Sequence, residues 1–199
     1  ILAGSNAVLN GNIVTANSAQ HASGGLELFL GAPTLDGNTI TANTAGIGGG
    51  VLTQGSDPSL VNNVIADNQA NYSGSALYIL GGSPRLAHTT IARNSGGDGS
   101  GIYIENWACC GGPAYVELGN NILVSHTVGI TVAADNEARL KATLWGTGAW
   151  ANLTNWDGAG TIIIDDSIWG DPAFVDPGAG DYHITRDSAA MDTGVAAGV

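Results

Sequence analysis

The side chains best suited to chemistry are the aspartates gathered near the end of the chain. They are Asp165, Asp166, Asp171, Asp176 and Asp181. Carboxylate oxygens are the hard ligands that Ca²⁺ prefers, so these residues are candidate calcium ligands. Their spacing fits no calcium-loop motif, however, and aspartate beside proline or glycine is typical of a turn. No cofactor is therefore expected. If the chain binds one, Ca²⁺ is the candidate.

A polysaccharide-degrading enzyme would need a different arrangement. A hydrolase uses two carboxylates about 5–9 Å apart, for which Asp165 with Asp166, or Asp67 with a residue of a neighbouring coil, are candidates. A lyase needs an acidic calcium cluster beside a basic proton acceptor, and Arg85 and Arg93 have no such cluster at equivalent positions. No catalytic residue is assigned, and lyase or glycoside hydrolase activity stays open as the alternative.

Cys109 and Cys110 are adjacent and are the only two cysteines. In an oxidising compartment they would close a strained vicinal disulfide that shapes the surrounding loop, or else link to another chain. A metal site would need further Cys or His nearby, and the neighbouring sequence has none. The vicinal disulfide is the prediction, with the intermolecular bond as the alternative.

Tryptophan and asparagine supply candidate contacts with sugars. Trp107, Trp150 and Trp156 lie in irregular stretches, where exposed indole rings could stack on a glycan or simply pack a loop. Asn71 and Asn152 begin the tripeptides Asn-Tyr-Ser and Asn-Leu-Thr, which match the N-glycosylation acceptor pattern.

The charge balance excludes some partners. Only five residues are Lys or Arg, against 17 Asp or Glu, and the net charge is −12. Phosphate backbones and anionic membrane surfaces need basic contacts, so neither is expected as a partner.

No stretch approaches the roughly 20 apolar residues of a membrane span. The chain opens at Ile1 as if inside a repeat, which suggests a processed piece of a longer product. Scarce lysine with abundant Gly, Asn and Thr indicates an extracellular or cell-surface protein.

A repeat of about 25 residues organises most of the chain. The aligned segments begin at Asn12, Asn38, Asn63, Thr89 and Asn121, in steps of 26, 25, 26 and 32 residues. The long step contains the stretch Trp-Ala-Cys-Cys-Gly-Gly-Pro, which indicates a loop insertion at about 106–114.

Each repeat contains three short strands separated by Gly, Asn and Pro turns. The repeat is shorter than the roughly 40 residues of a β-propeller blade, and no segment shows the 3.6-residue period of a helix. A β-propeller and a helical solenoid are therefore both disfavoured. The prediction is an all-β, right-handed parallel β-helix with three strands per coil. Residues 1–145 form the coils, and residues 146–199 form an irregular final coil and a C-terminal cap.

Stacking of equivalent positions assigns the repeated residues to rows. One apolar row is Val14, Ile40, Ile65, Ile91 and Leu123, and another is Leu9, Leu35, Leu60, Leu86 and Leu118. One amide ladder contains Asn12, Asn38, Asn63 and Asn121, with Thr89 interrupting it, and the other contains Asn17, Asn43, Asn68 and Asn94. Asparagine tolerates the left-handed backbone of a tight turn, so these residues are predicted to be structural.

The alternation that buries the isoleucine row turns its neighbours outward. They are Ile13, Thr15, Thr39, Thr41, Val64, Ala66, Thr90, Ala92, Ile122 and Val124. Stacked, they make a flat, uncharged strip (hereafter the strip) of the kind that often contacts a partner. The partner could be another copy, another surface protein or a polysaccharide.

The end of the chain resembles a known family. Its run Asp171-Pro-Ala-Phe-Val-Asp-Pro, followed by Gly180-Asp-Tyr-His-Ile and Met191-Asp-Thr-Gly, closely resembles the C-terminal signature of bacterial β-helix surface proteins of the choice-of-anchor Q group. The resemblance implies an exported or surface protein and no particular activity. An anchor would normally follow the signature, whereas this chain stops at Val199. The apolar residues Phe174, Val175, Tyr182, Ile184 and Met191 are predicted to cap the open end of the coil.

These patterns favour an extracellular or cell-surface structural or adhesive β-solenoid module. It would self-associate, or join a larger surface assembly or filament, through the strip and the uncapped edge at Ile1. The alternative is a carbohydrate-binding or polysaccharide-degrading protein.

Overall fold

The computed structural model describes residues 1–196 and forms a parallel β-helix of seven coils. Each coil contributes one strand to each of three parallel, seven-stranded sheets. The predicted all-β fold with three strands per coil is therefore confirmed. The first four coils contain β1 (Leu2–Ala3), β2 (Val8–Asn10), β3 (Ile13–Thr15), β4 (Leu26–Gly31), β5 (Thr34–Asp36), β6 (Thr39–Thr41), β7 (Thr44–Ile47), β8 (Val51–Ser56), β9 (Ser59–Val61), β10 (Val64–Ala66), β11 (Gln69–Ser73), β12 (Leu77–Leu80), β13 (Arg85–Ala87) and β14 (Thr90–Ala92).

The last three coils and the C-terminal segment complete the chain. Their elements are β15 (Ser100–Glu105), β16 (Tyr115–Gly119), β17 (Ile122–Val124), β18 (Val128–Val132), β19 (Glu137–Lys141), β20 (Thr143–Gly146), a 3₁₀ turn (Gly148–Trp150), β21 (Thr154–Asp157), β22 (Thr161–Ile164), β23 (Ser167–Gly170), β24 (Phe174–Asp176), a second 3₁₀ turn (Pro177–Ala179) and β25 (Asp181–Ile184).

Three sheets wrap one apolar core. The first sheet runs β1-β4-β8-β12-β15-β18-β21, the second β2-β5-β9-β13-β16-β19-β22, and the third β3-β6-β10-β14-β17-β20-β23. A small pair, β7 and β11, lies between the third and first sheets along the chain. Because side chains alternate along a strand, each strand turns one set inward. Both predicted apolar rows are stacked rung on rung and point into the core.

The solenoid continues beyond the predicted boundary at residue 145. Leu118 stacks on Leu140 and Leu140 on Ile164, in steps of 22 and 24 residues. These shorter coils end at Gly170 and still add one strand to each sheet. The repeat was not recognised here because the coils are shorter and Thr143 and Ser167 replace the ladder asparagine at the start of the third strand.

A left-handed residue turns each corner, and it is not the ladder asparagine. Positive φ angles occur one position earlier, at Gly37, Asn62 and His88 before one ladder and at Ala42 and Asp67 before the other. The sequence interpretation that the ladder asparagines adopt this backbone is therefore wrong. The preceding residue makes the turn, and the asparagine is left free to bond along the stack.

The C-terminal segment, residues 171–196, lies along the side of the rod. It forms the antiparallel hairpin β24–β25 and packs on the outer face of the third sheet. The prediction that it caps the open end of the coil is therefore wrong. Trp156 and Trp169, which turn toward the core in the last coil, remain exposed at that end.

Candidate functional site

The C-terminal segment divides the strip into a covered and an uncovered part. The exposed or half-buried members are Ile13, Thr15, Thr39, Thr41, Val64 and Thr90. The buried members are Ala66, Ala92, Ile122 and Val124, which share an apolar cluster with Tyr182. The strip lies on the outer face of the third sheet, but four of its ten members are buried in an internal contact.

A charged cluster holds the hairpin on the third sheet. Arg93 donates from Nε and Nη2 to the two carboxylate oxygens of Asp67, both at 2.9 Å, and from Nη2 to the Pro177 carbonyl at 2.7 Å. Tyr182 Oη donates to Asp67 Oδ2 at 2.6 Å, and the Arg93 guanidinium lies 5.4 Å from the Tyr182 ring centre. The hydrogen bond to Asp67 raises the pKa of Arg93, and burial raises the pKa of Tyr182. We call these contacts the latch.

Aromatic and amide contacts extend the latch at both ends. Phe174 lies edge-on between Trp150 and Tyr182, with ring centres 5.0 and 5.1 Å away. Further along, the Asn120 side chain donates to the Val195 carbonyl and accepts from its N–H, both at 2.8 Å. The segment is thus fixed to the rod by contacts between residues far apart in sequence.

A cleft of about 660 Å³ remains between the third sheet and the C-terminal segment. This volume lies within the range of roughly 300–1,000 Å³ that is usual for small-molecule sites. Val64, Ile122, Leu144, Ile168 and Ile184 provide its apolar lining. Hydrogen-bonding groups surround them: Thr39, Asn62, His88, Thr90, Asp181, His183 and Thr193.

The cleft carries little net charge. Its carboxylate, Asp181, accepts from the backbone N–H of His183 at 3.0 Å and lies 2.6 Å from His183 Nδ1. These two contacts, the backbone one first, lower the pKa of Asp181. His88 is exposed on the opposite wall. Such a lining suits a ligand that is neutral and rich in hydroxyl groups.

The two asparagine ladders are hydrogen-bonded stacks that run along the rod. In each, the backbone N–H and the side-chain amide of one asparagine donate to Oδ1 of the next, at 2.9–3.0 Å. Thr89 interrupts the first ladder between Asn63 and Asn121 and donates its own N–H to Asn121 Oδ1.

The second ladder continues through a histidine. Asn94 Nδ2 lies 3.3 Å from His126 Nε2, and His126 Nδ1 lies 3.2 Å from Asn152 Oδ1. Burial lowers the pKa of His126 to about 4, so the ring is neutral at pH 7. The sequence analysis gave His126 no role, although His126 follows Asn121 by five positions, as Asn17 follows Asn12, and this place in the repeat was the available signal.

The candidate calcium ligands are not brought together. Arg139 Nε donates to Asp165 Oδ2 at 2.8 Å and lowers the pKa of Asp165. Asp171, Asp176 and Asp181 each accept an N–H of their own turn. Within residues 1–196, no group of three or more acidic, histidine or cysteine side chains could hold a metal ion.

The cysteines lie in the predicted insertion. Both thiols are free and exposed, and a hydrogen bond between them raises the pKa of Cys110. The vicinal disulfide stays a prediction. Trp107, which opens this turn, packs edge-on against Phe29 and over Gly55, where a Cβ atom would clash with its ring.

The other sequence candidates are dispersed. Trp150 packs under the C-terminal segment, whereas Trp156 lies at the end of the rod beside the buried Trp145. Asn71 is exposed, so the structure leaves it accessible as a glycosylation acceptor. Asn152 is buried, and its Nδ2 donates to the Leu123 carbonyl and to Asn155, so a glycan there would displace both hydrogen bonds.

Comparison with known proteins gives one match. A protein-family model described as "Right handed beta helix region" matches residues 1–143. No curated protein and no solved structure matches the chain. Across residues 1–196, no helix has the length and apolarity that a membrane crossing requires.

Proposed function

The chain belongs to the right-handed beta helix family, and from that premise we propose that it is an extracellular or cell-surface structural module that self-associates and performs no catalysis. The resemblance of residues 171–194 to the signature of surface proteins supports the location. The ladders support the structural role, because a rod whose coils are bonded through buried amides makes a rigid spacer.

The engagement of the acidic side chains supports a non-catalytic role. Both carboxylate oxygens of Asp67 accept hydrogen bonds from Arg93, and Oδ2 also accepts one from Tyr182. Asp165 accepts a hydrogen bond from Arg139. A catalytic carboxylate needs a free oxygen directed at a substrate. Asp67 and Asp165, two of the carboxylates that the sequence suggested for hydrolysis, are thus held in contacts within the fold.

The exposed surface of the last coil is the main observation that supports self-association. Leu153, Trp156 and Trp169 there are 83%, 39% and 53% exposed. Strands β21, β22 and β23 are the final strands of their sheets, so their outer edges have no strand partner within residues 1–196. Exposed apolar side chains beside unpaired strand edges are a template for docking another chain.

Sedimentation velocity of the purified chain tests this interface. We expect oligomers that grow with concentration, and a double substitution Leu153→Ser with Trp169→Ser should weaken association by at least about tenfold, because buried aromatic anchors dominate interface energies. Tyr72→Ser is the matched control. Tyr72 is 68% exposed, between the values for Leu153 and Trp169, but it lies on β11 and not in the last coil. A strictly monomeric wild-type chain at its highest soluble concentration would overturn the proposal.

The cleft favours a second candidate function, carbohydrate binding. Sugar rings present apolar C–H faces and hydroxyl groups, which the apolar lining and the side chains of Thr39, Thr90 and His88 would match. Of the two carboxylates that a hydrolase needs, the lining of the cleft supplies one, Asp181.

Glycan-array binding, followed by calorimetry on any hit, tests the second candidate. His88→Ala and Thr90→Val should each weaken binding by about tenfold, since each removes a hydrogen bond. His21→Ala serves as the control, because His21 is exposed outside the cleft. Equal affinity in all variants would exclude the cleft as the site, and release of unsaturated or reducing sugars would identify an enzyme.

A further inference from the structure

We propose that two copies of this chain exchange their C-terminal segments, each laying residues 171–196 on the third sheet of the other. The inference rests on the proposed self-association and names an additional interface for it. The partner is a second copy of the chain, and the contact surface is the covered part of the strip.

The occupation of the strip leads to this conclusion. Ala66, Ala92 and Val124 are fully buried beneath the hairpin that carries Tyr182. Another molecule reaches these residues only when the hairpin leaves them. The occupant that restores every lost contact is the same hairpin from a second copy, because its shape and hydrogen-bonding groups already match this surface.

The latch can form equally well between two chains. Only noncovalent contacts join Asp67 and Arg93 on the third sheet to Pro177 and Tyr182 on the hairpin, and Tyr182 lies 115 positions after Asp67 in the sequence. The bidentate pairing of Arg93 with Asp67 presents a fixed geometry to an incoming hairpin. Exchange therefore keeps the contacts between the hairpin and the third sheet. It changes only which chain supplies the hairpin.

That connection is short and strained. Three residues, Asp171, Pro172 and Ala173, join the end of β23 to the start of β24. Ala173 has φ of +45°, in the left-handed region that an L side chain disfavours. Straightening the connection would release this strain, and short strained hinges favour exchange between copies.

Cross-linking distinguishes an exchanged segment from one that stays on its own chain. Cysteines introduced as Asn120→Cys and Val195→Cys, in a Cys109→Ser and Cys110→Ser background, replace a pair in direct contact. After oxidation at high concentration, we expect covalently linked dimers on a non-reducing gel, and each single cysteine variant serves as a control. Intrachain links alone, in samples that sediment as dimers, would overturn the exchange and leave self-association standing. Monomers alone by sedimentation would overturn both.

A hinge variant tests the same proposal without new cysteines. Ala173→Gly removes the cost of the left-handed backbone from the closed chain, so the exchanged dimer should become about tenfold less favourable. Ala173→Pro cannot adopt a positive φ and should raise the dimer fraction. An unchanged dimer fraction in Ala173→Gly would contradict the role of the hinge.

Discussion

Replacing Asn68 with alanine is expected to lower the free energy of unfolding by about 3 kcal/mol, because it leaves buried polar groups without partners. Asn68 Oδ1 accepts from both the backbone N–H and Nδ2 of Asn43. Its own Nδ2 donates to the Ile40 carbonyl and to Asn94 Oδ1. The substitution removes all four contacts at a site with no access to water, and it adds a small cavity. Urea denaturation followed by circular dichroism measures the loss.

The same ladder offers a control at its exposed end. Asn17 donates to Asn43 Oδ1 and to the Thr15 carbonyl, but it is exposed to solvent. Water replaces these partners in Asn17→Ala, so we expect a loss of less than about 1 kcal/mol. Equal losses in the two variants would show that the ladder stabilises the rod by its shape and not by satisfying buried amides.

The second large effect is a loss of stability in mild acid, caused by His126. Its pKa is lowered by burial from 6.5 to about 4 in the folded chain. The unfolded chain therefore binds a proton at a higher pH than the folded chain does. The contribution of the neutral ring is fully present above pH 6.5 and is lost as the pH falls from 6.5 to about 4. A shift of this size corresponds to about 3 kcal/mol.

His126→Asn isolates this effect because an amide completes the ladder without titrating. The asparagine Oδ1 can accept from Asn94 and its Nδ2 can donate to Asn152, in the directions that the neutral ring uses. We expect the difference in unfolding free energy between wild type and variant to change by about 3 kcal/mol between pH 7 and pH 4. His88→Asn, at an exposed position, should keep the wild-type pH profile. A wild-type profile in His126→Asn would refute the assignment.

Contacts within and between neighbouring coils were predictable from the sequence. The repeat specifies which residues stack, since one coil displaces the next by a single strand spacing of about 4.8 Å. Stacking then assigns Ile65 and Leu60 to the core, Asn68 to a ladder and Thr90 to the outer face. The interruption at Thr89 was likewise readable from its place in the repeat.

Features that depend on departures from the repeat were not predictable. Because the last two steps are 22 and 24 residues, the final coil was predicted to be irregular, and the left-handed residue was assigned one position too late. The aspartates near the end of the chain are close in sequence, but Asp171, Asp176 and Asp181 each accept an N–H of their own turn and Asp165 pairs with Arg139. Proximity in sequence therefore indicated a shared site that the folded chain does not form.

The sequence by itself determined the coil, its apolar rows and its amide ladders, because these interactions join positions one repeat apart and recur in successive coils. Only the tertiary structure decided where the C-terminal segment lies, which part of the strip it covers and what cleft it leaves. The physical reason is that the latch joins Asp67 and Arg93 to a hairpin that follows the last coil. No periodicity relates those residues, and the direction in which the chain leaves β23 determines whether they meet.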